Sequence, residues 1–211
     1  YALVFFILFS AYHFGEQHWV NELQNINNKL KIIFFTIYGL SILFLLLFLN
    51  ADFAKEIIQQ ITPYAYFDQY LTEITKVSFL LLLVGFAGFI VYSRAFANRV
   101  PLELLQLFSL FLIFKWGNLI FGFAFYFVVW HSLFSIKDQL KFLYGQLSKQ
   151  NLIDYFRKSA VYWLVSLVGL LILVYLLNDK DYFYSLMFAF IAAVTFPHVF
   201  VISQMMDKLD K

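Results

Sequence analysis

Lys31–Leu49 reads Lys-Ile-Ile-Phe-Phe-Thr-Ile-Tyr-Gly-Leu-Ser-Ile-Leu-Phe-Leu-Leu-Leu-Phe-Leu, with no charged side chain after Lys31. As a helix, nineteen residues rise about 28 Å, close to the roughly 30 Å of a bilayer's hydrocarbon core. The stretch is a membrane span. Runs of the same kind recur at Tyr1–Trp19, Val77–Ala97, Leu119–Ile136, Ser159–Leu177 and Tyr182–Met205. The chain is 63% hydrophobic and only 13% charged, against about 25% charged in an average globular protein. One soluble core cannot hide that much apolar surface.

Pro101–Phe114 is shorter and is closed by Lys115. If it spans, one side of the membrane collects Lys29, Lys31, Arg94, Arg99, Lys137, Lys141, Lys149, Arg157, Lys158, Lys208 and Lys211, and the other Lys55, Lys76, Lys115 and Lys180. Eleven stand against four. Fusing it with Leu119–Ile136 gives five against nine and strands Lys115 in lipid, so the positive-inside rule selects seven spans. The fold class expected is all-α, a polytopic transmembrane bundle of about seven spans forming a single domain over residues 1–211. The basic side and the C-terminus are expected to be cytoplasmic.

Two connectors are long. Ala51–Lys76, with Pro63, Tyr64, Tyr66, Phe67 and Tyr70, suits an amphipathic connector at headgroup level. Lys137–Lys158 is expected to be a surface segment broken near Gly145. The net charge of +2, without a basic patch, gives no reason to expect nucleic acid. With no cysteine, a metal must be held by nitrogen or oxygen.

The histidines are His13, His18, His131 and His198, each in or at the edge of an apolar run, where an ionisable group is a functional signal. In the seven-span topology His13, His131 and His198 fall in the same cytoplasmic half on three odd-numbered helices. They are the candidate metal ligands, with His18 as an additional one. His18 lies five residues from His13, about 140° round a regular helix. A metal-bound imidazole usually donates its other N–H to an oxygen. Glu16 and Gln17, three and four residues after His13, and Ser135, four after His131, have the spacing for that. Pro197 is expected to kink the last span beside His198. Phe123, Tyr126, Phe127 and Trp130 crowd the approach to His131, as lipid-facing bulk or as the wall of a tunnel for a long apolar substrate.

Three motifs, Tyr-His-Phe-Gly-Glu-Gln-His-Trp at Tyr12–Trp19, Tyr-Phe-Val-Val-Trp-His-Ser at Tyr126–Ser132 and Thr-Phe-Pro-His at Thr195–His198, together resemble the bacterial membrane β-carotene 15,15′-dioxygenases, the Brp/Blh family. The resemblance covers essentially the whole chain. It implies a multi-pass bacterial inner-membrane enzyme that uses Fe(2+) and O₂ to cleave β-carotene into two retinal molecules, with histidines of separate helices holding the metal. It also implies a functional link to a retinal-binding rhodopsin. Two departures stand out: the chain begins after the family's His-Gly-x-x-Asp helix and is expected to be a piece of a longer protein, and Ser135 stands where many members have a second histidine.

Two other readings compete. One is a membrane haem protein with paired histidines as axial ligands. The other is a non-catalytic carotenoid- or retinal-binding membrane protein.

Overall fold

The computed structural model describes residues 2–24, 26–62, 67–177, 180 and 182–209, with backbone alone at 67–68 and 206–209. Among these residues every regular element is helical. In chain order they are α1 (Ala2–Trp19), a 3₁₀ turn (Val20–Glu22), α2 (Asn28–Leu49), α3 (Ala51–Ile61), α4 (Phe67–Tyr92) and α5 (Arg94–Trp116). After these come α6 (Leu119–Phe125), a π-helical stretch (Tyr126–Ser132), α7 (Leu133–Tyr144), α8 (Lys149–Leu177) and α9 (Phe183–Leu209).

Among the described residues six helices are long and apolar enough to cross a membrane: Asn28–Leu49, Gln69–Tyr92, Arg94–Trp116, Leu119–Tyr144, Lys149–Leu177 and Phe183–Met205. The chain is therefore a multi-pass membrane protein. The expected short span at Pro101–Phe114 is a separate and longer helix, because Ser93 starts α5 early. Its side chain accepts the Phe96 N–H at 3.2 Å, and Asn118 caps α6 by accepting the Phe121 N–H at 2.8 Å. Two such caps bracket α5 and separate it from both neighbours. α1 is not among the six, since its apolar first half gives way to the polar Ser10–Trp19.

The helices gather into two compact units, Tyr1–His131 and Ser132–Leu209. In the first, α1 packs along α2 at the closest approach helices allow. A Cβ on Gly15 would collide with the Phe35 backbone, and one on Gly39 with that of Ala11. Ala11 and Gly15 form the small-xxx-small pattern that lets membrane helices touch backbone to backbone. Trp19, Phe34, Phe86 and Phe96 fill the adjoining core, the Trp19 and Phe96 rings 4.4 Å apart. α3 is amphipathic, burying Ala54 and Ile58 one turn apart, as its mixed sequence suggested; Pro63, Tyr64 and Tyr66 lie outside the described residues.

In the second unit α7 ends at Gly145, whose φ of 72° is the left-handed conformation that glycine adopts without penalty. The break expected there is present. Tyr155 of α8 donates to Gln139 Oε1 at 2.7 Å, and Gln139 donates to Ser135 Oγ at 3.0 Å, tying α8 to α7. No residue of α8 is buried. α9 runs from Phe183 to Leu209 with Pro197 inside it.

Candidate metal centre

The C-terminal half of α1 is buried nearly all round, polar residues included: Ser10, Ala11, His13, Phe14, Gly15, Glu16, Gln17 and Trp19. Ala11 and Gly15 take the face against α2, and at 100° per residue His13 points to the opposite side. It is 1% exposed. Facing it is His131, near the end of the π-helical stretch. The imidazole centroids are 5.1 Å apart with ring planes at 74°, and their closest nitrogens lie within 4.8 Å.

The π-helical stretch coincides with the motif Tyr126–Ser132. Such segments insert an extra residue into a turn and recur at functional sites. The wider turn carries Tyr126, Phe127 and His131 together onto Phe14, at ring separations of 5.3, 5.3 and 5.2 Å. Phe123 stacks on Phe127 at 4.3 Å, whereas Trp130 leans toward Phe125 at 6.3 Å. Three of the four aromatic candidates thus form one wall beside His131. A cleft of about 720 Å³ lies elsewhere, at the α5–α6 junction around Trp116 and Phe121. A smaller, wholly apolar one of about 250 Å³ is lined by α2, α4 and α5. Neither is lined by the four candidates.

The pair geometry bears on what the site accommodates. With metal–nitrogen bonds of about 2.1 Å, neighbouring imidazoles on one ion have centroids roughly 4.6–5.3 Å apart, and imidazoles on opposite sides roughly 6.5 Å. The observed 5.1 Å matches neighbouring ligands and is too short for two axial ligands with a haem plane between them. The donors fit one mononuclear ion bound by imidazole nitrogen.

The other expected residues are placed as follows. His198 belongs to the second unit, on α9, next to the buried Val199. Glu16 accepts a hydrogen bond from the Tyr12 hydroxyl. Gln17 is buried, and neither atom of its amide has a hydrogen-bond partner among the described residues; the same holds for Ser10 Oγ and the Trp130 indole nitrogen. Ser135 is buried and accepts from Gln139.

His18 is held away from His13 in a polar cluster. Its Nε2 lies 2.6 Å from Glu103 Oε2 and 3.2 Å from Arg99 Nη2, and its ring stacks on Tyr38 at 5.0 Å and 15°. Tyr38 donates to Glu103 Oε1 at 2.5 Å, and Arg99 also pairs with Glu22. Motif reading passes over Arg99, Glu103 and Tyr38. A signal was there: Glu103 is the lone carboxylate inside the apolar run Pro101–Phe114, one helical turn after an arginine.

Comparison with known families supplies the remaining observation: the family model for beta-carotene 15,15'-dioxygenase matches residues 1–206. The chain belongs to this family. Membership carries the activity for which the β-carotene 15,15′-dioxygenases are named, with β-carotene as substrate and the membrane as setting. No curated protein and no solved structure matches the chain.

Proposed function

We propose that His13, His131 and His198 hold one Fe(2+) ion, and that O₂ cleaves the central double bond of β-carotene beside them to give two retinal molecules. The observation that carries this reading is the pairing of His13 with His131 at 5.1 Å in a chain of the β-carotene 15,15′-dioxygenase family. His198 is the third ligand on this reading because it occupies the third motif. His18 is left out, because Glu103 and Arg99 already engage its Nε2.

Bound iron would supply the activation of O₂ that the polyene alone cannot. The protein's own groups do the rest. Three neutral imidazoles leave the cation's charge in place and coordination positions open. Gln17, one turn after His13 and with neither amide atom hydrogen-bonded among the described residues, would accept the N–H of the metal-bound His13 ring and so orient it. The wall of Phe14, Tyr126 and Phe127 keeps water from the reacting bond and gives the polyene an apolar surface. One C=C bond becomes two C=O bonds with both oxygen atoms of O₂ in the products, so the balance closes without a further reductant.

On this reading both units act as one transmembrane domain of a bacterial inner membrane. The histidine-bearing half and the C-terminus face the cytoplasm, and a retinal-binding rhodopsin consumes the product. The test is retinal formation in membranes of a β-carotene-producing bacterial host. Retinal is expected from the native protein and not from His13→Ala, His131→Ala or His198→Ala, while His18→Ala keeps a reduced but measurable activity. Persistence of β-carotene with iron-loaded native protein would overturn the reading.

A further inference from the structure

Glu103 is fully buried, at 0% exposure, and the roles assigned above do not use it. A buried carboxylate is costly to keep unless hydrogen bonds and opposite charge surround it. Here the surroundings come from two other helices. Tyr38 of α2 donates to Oε1 at 2.5 Å, and His18 of α1 meets Oε2 at 2.6 Å. Arg99, one turn before Glu103 on α5, reaches His18 at 3.2 Å, pairs with Glu22 just after α1, and lies 5.0 Å over the Trp19 ring.

The last turn of α1 is therefore gripped by directional bonds, whereas its contact with α2 through Ala11 and Gly15 is made of small residues. Such a contact sets how close two helices come, and the directional bonds at the last turn add a separate constraint on rotation and sliding. His13 stands on the face of α1 away from α2, where errors of rotation show most. Turning a helix by about 20° displaces a side-chain ring by roughly 2 Å. Metal ligands tolerate far less.

We propose that Glu103 is a positioning residue of the metal centre: by binding His18 and Tyr38 it sets the rotation and axial register of α1, and so aims His13 at His131. This rests on the three-histidine reading given above. It explains why α5 keeps a buried carboxylate that contacts α1 five residues beyond His13.

The test is a cobalt(II) titration of the purified full chain in detergent, followed by the visible ligand-field bands and by thermal melting. The native protein, Glu103→Gln, Tyr38→Phe and His13→Ala are compared. Glu103→Gln is expected to fold, to bind cobalt about tenfold more weakly, and to show a changed band pattern. Tyr38→Phe changes the bands in the same direction by less. Native affinity and native bands in Glu103→Gln would overturn the proposal, as would weaker binding with unchanged bands, which marks a plain loss of stability. Should Glu103→Gln fail to fold, Tyr38→Phe and His18→Gln decide, and native bands in both overturn it. If His13→Ala titrates like the native protein, the three-histidine reading itself has failed, an outcome distinct from an insensitive Glu103.

Discussion

The second half of α1 and the whole of α8 are opposites. Ser10–Trp19 holds two histidines, a glutamate and a glutamine and is buried nearly all round. From Ser159 to Leu177 α8 is almost wholly apolar, yet none of its residues is buried, with Tyr162, Trp163 and Tyr175 among the most exposed large side chains. In water the assignment would be reversed. In a bilayer apolar surface is content against lipid, and what needs protein around it is the polar segment. Between these two segments, then, burial follows polarity, and the apolarity of α8 reports little beyond the membrane itself.

That contrast can be broken most sharply at its glycines. Gly15→Leu on α1 is expected to separate α1 from α2 at a cost of about 3 kcal/mol, with loss of folded protein in a detergent melt and of retinal formation together. His13→Ala should leave the melt near native while lowering retinal formation more than about a hundredfold, since even outer partners of metal ligands cost 10–100-fold. Gln17→Leu separates the two properties again. Removing a buried amide without a partner should leave stability equal or higher, by about 1 kcal/mol, while retinal formation falls about tenfold. The smallest effect belongs to α8. A Cβ on Gly169 meets nothing within 4 Å, so Gly169→Leu should change the melting free energy by less than about 0.5 kcal/mol and retinal formation by less than twofold. A large loss in Gly169→Leu would show that α8 is covered by protein and collapse the comparison.

The same contrast explains what could be read from the sequence. Span length and apolarity are local, so the runs from Lys31 onward are found as helices, and the basic residues flanking Pro101–Phe114 correctly separate it from Leu119–Ile136. Boundaries were less legible, because caps such as Ser93 act through a single side chain that an apolar window averages away. His13 and His131 were legible as rare polar residues at a shared depth. The π-helical turn under His131 was not, since nothing in Tyr126–Ser132 encodes an extra residue per turn until the packing around Phe14 demands it. Nor was the fate of His18, which depends on Glu103, 85 positions away. Local chemistry marked the residues that matter, and tertiary contacts decided which of them meet.

The backbone-to-backbone contact of Gly15 with Phe35 and of Gly39 with Ala11 bears finally on biogenesis. Within Ala2–Trp19 the second half is too polar to partition into lipid unaided, whereas α2 is strongly apolar and follows after a short turn. A contact that needs no side chain to be threaded can form as soon as the two helices lie side by side. In the bilayer the apolar α2 thus gives the histidine-bearing helix a partner laid directly against its backbone.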